Sequence, residues 1–278
     1  MYVVLAGLSA LLYGSGDFCG GLAARRRPLA AVLTISQSAG LVAAVAALVL
    51  LRQPFPAMSD IAWGIAGGIA GTAGLAALYQ ALASTLVAVA SPVAAVTGAV
   101  VPVFLGLAAG EHPANLAWAG IALAVPAIAL LAGGPAGSAR PGLVRRAALM
   151  GVAAGIGFGL FFFCISRTSH SSGLWPLAAA RLVTLLLVAG FAAATRARLA
   201  PFSADLAPAL LAGVLDMSAN IAFLLASRAG LLSVTAVITS LYPGPTVILA
   251  MIFFREKLTV TRALGLVLAV AGVACLSA

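Results

Sequence analysis

Ten apolar runs follow one another along this chain, near residues 1–24, 29–51, 61–83, 85–108, 114–133, 147–168, 174–195, 205–227, 230–254 and 260–277. Each is long enough to cross bilayer hydrocarbon as a helix, which takes about 20 residues. A peptide group in hydrocarbon finds no water, so a spanning segment must satisfy its own N–H and C=O groups, and a helix does so within one run. The fold class is therefore an all-α membrane protein with ten transmembrane helices. Charged residues are 8 % of the 278, where a soluble domain carries about 25 %. At about 28 residues per span and loop, ten spans leave almost nothing for a domain outside the membrane.

The net charge of +9 does not point to nucleic acid, because the basic residues sit in short loops rather than in a stripe interleaved with exposed aromatics. Arg25, Arg26, Arg27, Arg140, Arg145, Arg146, Arg196, Arg198, Arg255, Lys257 and Arg262 fall after odd-numbered spans, and only Arg52, Arg167 and Arg228 fall on the other face. The positive-inside rule then puts the first set in the cytoplasm and both termini outside, in an inner or plasma membrane. The first run starts at Met1 and its arginines follow it, the reverse of a secretory leader, so it reads as a mature span. Cys19, Cys164 and Cys275 all lie within apolar runs and suggest neither a disulfide framework nor a metal cluster. His112 and His170 are the only histidines, and neither an H-E-x-x-H nor a Walker-type motif is present. The expectation is a non-enzyme with no metal and no cofactor.

Polar and glycine positions recur at an offset of 145 residues: Gly14 with Gly159, Cys19 with Cys164, Asp60 with Asp205, Gly68 with Gly213, Glu111 with Glu256 and Gly120 with Gly265. The chain thus divides into a first five-helix repeat over 1–133, a linker over 134–146 and a second repeat over 147–278. An odd number of spans makes the second copy enter the membrane from the opposite side, so the repeats are inverted, a symmetry that transporters use to alternate access to a midplane site. Glu111 and Glu256, at opposite faces, read as caps or anchors at the starts of spans 5 and 10.

Polar side chains inside spans are candidates for function. Asp216 lies roughly 16 Å into span 8, with Asn220 one turn on. It reads either as an acid that couples transport to protons or as a structural partner for Arg181 in span 7. Asp17 reads as lining a cavity mouth, capping nearby backbone or pairing with an arginine. Tyr13 precedes it, and Tyr79 and Gln80 end span 3. Span 4 is interrupted by Pro92 and Pro102, and span 9 carries Thr239, Tyr242, Pro243 and Pro245. Phe158 and Phe161 to Phe163 offer either an aromatic wall or a lipid-facing surface. The offset pairs Asp17 with Phe162, Asp216 with Gly71, Asn220 with Leu75, and Tyr79 and Gln80 with Leu224 and Leu225. The repeated positions read as scaffold and the unrepeated polar ones as the place where a solute is read.

The stretch from Ser240-Leu241-Tyr242-Pro243 through Thr246 to Glu256-Lys257-Leu258-Thr259 and Gly265 resembles the close of an EamA-type repeat of the drug/metabolite transporter superfamily. Gly110-Glu111-His112-Pro113 with Gly120 is similar to the equivalent stretch of the first repeat. The resemblance covers the full length. It implies a secondary carrier of small organic solutes, such as amino acids, metabolites or drugs, exporting or exchanging by alternating access. Its central cavity would be lined mainly by spans 1, 3, 4, 6, 8 and 9. The expected partners are a small-molecule substrate, the lipid bilayer and protons as a coupling ion, with one copy sufficient. The alternatives are an intramembrane aspartyl protease, since Gly14-Ser15-Gly16-Asp17 matches a Gly-x-Gly-Asp element and Asp216 would be the second acid, and a channel or non-transporting scaffold.

Overall fold

The computed structural model describes residues 1–83, 87–132, 141–194, 206–254 and 258–277, and among them every regular element is helical. The helices are α1 (Tyr2–Ala24), α2 (Leu29–Leu50), α3 (Met58–Ala83), α4 (Val87–Ala108), α5 (Asn115–Ala132), α6 (Pro141–Ser166), α7 (Trp175–Ala194), α8 (Ala207–Ala229), α9 (Leu232–Thr239), α10 (Pro243–Phe254) and α11 (Val260–Ser277). With α9 and α10 counted as one span, ten helices are long and apolar enough to cross a membrane.

Two boundaries differ from the apolar runs. The sixth helix begins at Pro141, so Arg145 and Arg146 are helical rather than part of a linker. Arginine stems can cover apolar surface while the heads reach the interface, which lets a membrane helix start on charged residues. The ninth span is broken at Ser240–Tyr242, where the chain tightens: Leu241 N–H bonds Ile238 O at 3.1 Å and Tyr242 N–H bonds Thr239 O at 3.2 Å. Pro243 and Pro245 remove two N–H donors from a single turn. In α4 the two prolines, Pro92 and Pro102, lie far enough apart for the helix to remain continuous.

The closest helix pairs join the first half of the chain to the second. α1 packs on α8 as α6 packs on α3, α2 packs on α8 as α7 packs on α3, and α5 packs on α11. The helices gather as α1, α2 and α8 on one side and α3, α6 and α7 on the other, with α4 against α6 and an α2–α7 contact between the groups.

The repeated glycines stand at these interfaces. A methyl built on Gly14 would come within 2.4 Å of the Tyr242 carbonyl oxygen and 3.1 Å of the Thr246 nitrogen, and one on Gly159 within 2.6 Å of Val101 Cβ. The offset that relates Gly14 to Gly159 also relates Val101 to Thr246. Likewise Gly120 faces Leu276 and Gly265 faces Leu131, and Leu131 and Leu276 are again related by that offset. Large apolar residues on the outer surface, among them Val4, Leu8 and Leu11 on α1 and Val42, Val45 and Val49 on α2, recur every three or four positions and are exposed, as lipid-facing stripes are.

Candidate functional site

A cavity of about 280 Å³ lies between the two groups of helices. Its centre is a charged bridge. Arg181 on α7 donates from one terminal nitrogen to Asp216 Oδ2 on α8 and from the other to Gln37 Oε1 on α2. The bridge therefore ties α7 of one helix group to α2 and α8 of the other. Gly40, one turn from Gln37 on the same face of α2, leaves the room that the guanidinium occupies: a methyl there would come within 3.2 Å of Arg181 Nε.

Asn220 completes this network one turn beyond Asp216. Its Nδ2 donates to the Asp216 carbonyl at 2.7 Å and to Asp216 Oδ2 at 3.2 Å. Its Oδ1 is buried without a partner. The Asp216 side chain keeps 37 % of its surface exposed towards the cavity, against 11 % for Arg181. Around the polar centre stand aromatic rings: Tyr13 lies 6.2 Å from Phe162 and 6.3 Å from Tyr242 between centroids, and Phe161 lies 5.7 Å from Phe162. Phe158 lines the same cavity.

Asp17 also lines the cavity and is shared with a second, smaller pocket that runs past Gly21 and Leu22 to Arg25. At that end the Arg25 guanidinium sits 4.3 Å over the Phe254 ring. Asp17 thus stands between the central cavity and a pocket on the side of the arginine-rich rim.

The opposite rim is stitched by hydrogen bonds between segments far apart in sequence. Asp60 accepts from the Ser169 N–H and hydroxyl, both at 2.7 Å, and Gln53 Oε1 accepts from the Leu174 N–H at 2.6 Å. Arg228 donates to the Thr168 and Ser172 hydroxyls at 3.2 and 2.8 Å. Glu111 accepts from the Leu232 and Ser233 N–H groups at 2.5 and 2.9 Å, which are the first donors of α9. Glu111 therefore caps α9 rather than its neighbour in sequence, α5. Gly110, at φ 91°, turns the chain back, and the carboxylate lies over Gly106, where a methyl would come within 2.4 Å of it. The position equivalent in the second repeat, Glu256, lies outside the described residues. Glu111→Ala is expected to cost about 1–2 kcal/mol by stripping this cap, read as a lower melting temperature in detergent, with Glu111→Gln losing less because an acceptor remains.

Of the residues singled out in the sequence, the cavity brings together Tyr13, Asp17, Phe158, Arg181, Asp216, Asn220 and Tyr242. Gln80 is exposed and lies outside the lining; two positions after the lining residue Leu78, it points to the other side of α3. Thr239 is fully buried behind the lining. Tyr79 lies on α3, but its side chain is outside the described set. The lining extends beyond spans 1, 3, 4, 6, 8 and 9 to spans 2 and 7, through Gln37 and through Leu177, Ala180, Arg181 and Thr184. Gln37 was overlooked, although a glutamine two turns into an apolar run carries the same signal that marks Asp216.

Ten helices long and apolar enough to cross a membrane make this a multi-pass integral membrane protein. Residues 145–278, the second half of the chain, match the model of the EamA-like transporter family of the drug/metabolite transporter superfamily, whose members are typically transporters. A solved crystal structure shares the fold, with a TM-score of 0.79 and 19 % identity over 98 % of this chain and 95 % of that one. No curated protein matches the sequence.

Proposed function

We propose that the chain is a secondary carrier of small organic solutes in a cell membrane, exporting or exchanging them by alternating access. The observation that carries this reading is the Arg181–Asp216 bridge, which spans the two helix groups inside a cavity, while hydrogen bonds between distant segments stitch one rim. A carrier needs a site that both moving bodies share and a seal that can be remade on either side. The equivalent contacts of Gly14 with Gly159, and of Gly120 with Gly265, favour an inverted pair of repeats over 1–133 and 147–278. Because those repeats interleave, the bodies that move are α1–α2–α8 and α3–α6–α7 rather than the two halves of the sequence.

Protons are proposed as the coupling ion through Asp216, since protonating that carboxylate would break its pair with Arg181 and release the two groups. In proteoliposomes, Asp216→Asn is expected to abolish accumulation driven by a pH gradient while sparing solute exchange. A pH response equal to that of the wild type rejects the coupling role. The aspartyl-protease reading loses ground because Asp216 is bonded to Arg181 and Asn220, and among the described residues no hydrogen bond joins it to Asp17. Steady ionic current through single molecules, without saturable counterflow, would favour a channel.

A further inference from the structure

The geometry points to organic ammonium ions with an apolar body as the ligands of the central cavity, an inference that rests on the carrier reading for its biological use but not for its test. Among the described residues that line it, the cavity has one cation, Arg181, and that cation is already engaged: its terminal nitrogens donate to Gln37 and Asp216, and its Nε is packed at Gly40. The same lining has two acids, Asp17 and Asp216, so its formal charge is negative. Asp17, exposed within it, has no hydrogen bond or ion pair to another described residue.

A second observation asks for the same chemistry. Asn220 is 3 % exposed and lines the cavity, and its Oδ1 has no donor. The amide cannot be turned to relieve this, because its nitrogen already faces two acceptors, the carbonyl and a carboxylate oxygen of Asp216. An acceptor buried without a partner costs about 1–3 kcal/mol, and a ligand carrying N–H donors would remove that cost. A carboxylate ligand would meet Asp17 and Asn220 Oδ1 with the wrong sign.

The walls agree with this assignment. Tyr13, Phe162 and Tyr242 line the cavity, and aromatic rings attract a cation to their faces and repel an anion from them. Leu75, Leu78 and Met217 supply apolar surface for the rest of the ligand. The volume suits a molecule at the small end of those that protein pockets hold.

Three probes on one skeleton test this: phenethylamine, 2-phenylethanol and phenylacetate, titrated by calorimetry into the purified full-length chain in detergent. Phenethylamine is expected to bind at least about tenfold more tightly than the alcohol, and phenylacetate not measurably. Asp17→Asn, checked for an unchanged elution profile, should weaken the amine at least about tenfold and leave the alcohol unaltered. Asn220→Ala should weaken the amine less. The assignment is overturned if phenylacetate binds as tightly as phenethylamine, if the amine is no better than the alcohol, or if folded Asp17→Asn binds the amine like the wild type. Should that variant fail to fold, the wild-type ranking of the three probes decides alone. Counterflow in liposomes separates the two readings. Amine binding without uptake keeps the cation site and removes the carrier, whereas uptake of phenylacetate alone keeps the carrier and removes the cation site.

Discussion

Replacing Arg181 by methionine is expected to lower the stability of the folded protein by about 2–4 kcal/mol, most of it through what is left behind. The substitution keeps a long apolar stem but strips Asp216 of its cation and Gln37 of its donor at once. A buried ion pair broken on one side leaves an uncompensated charge, which costs about 3–5 kcal/mol when water cannot reach it. Here the Asp216 side chain is 37 % exposed to the cavity, and the Asn220 amide still donates to it at 3.2 Å, so the loss is shifted down from that range by about 1 kcal/mol. The double change Arg181→Met with Asp216→Leu removes both charges and should recover much of the loss. Melting temperatures of the two single variants and the double variant in one detergent give the coupling directly. Additive losses would show that the two side chains do not depend on each other.

A second large effect is expected at Gly213, where alanine should cost about 3 kcal/mol or more, or prevent folding altogether. A methyl there would come within 2.0 Å of the Ser36 carbonyl oxygen and 2.7 Å of its carbon, so α2 itself must retreat from α8. Side chains can rotate away from an intruding methyl; backbone in a packed helix cannot. The related position Gly68, whose methyl would come within 2.6 Å of the Ala180 carbonyl oxygen, should behave similarly. Gly190 provides the control, since a methyl there meets nothing within 4 Å. Gly190→Ala should be neutral or stabilising by up to about 1 kcal/mol, the usual penalty of a glycine inside a helix. Equal yields and melting temperatures for Gly213→Ala and Gly190→Ala would contradict so close an approach of α2 to α8.

The spans were legible because each apolar run is set by a single requirement, the satisfaction of backbone groups in hydrocarbon. Where a second requirement acts, the sequence misleads. Arg145 and Arg146 look like a linker by charge and are helical by backbone. The pairing of Arg181 with Asp216 could be anticipated as one of two readings, since two opposite charges inside a membrane have few other ways to be satisfied. That Gln37 joins them depends on α2 meeting α7, a contact no local pattern announces. Glu111 misleads for the same reason: the nearest helix start in sequence is α5, but the turn at Gly110 sends the carboxylate to α9. Gln80 was singled out for its chemistry alone, and the helix turns it away from the cavity.

The break in the ninth span places its two parts under different rules. Every residue of α9 is buried in protein, whereas Ile248 and Ile252 on α10 are exposed where lipid would lie. One hydrophobic run thus serves as core in one leaflet and as outer wall in the other. Over α9 shape is what must be kept, because an added or missing methyl has protein on every side. Over the exposed face of α10 only oiliness must be kept, and leucine, isoleucine and phenylalanine become interchangeable. A chain reading as one uniform apolar segment therefore tolerates change asymmetrically about Tyr242, with the intolerant part next to the stitched rim and the tolerant part towards the arginines.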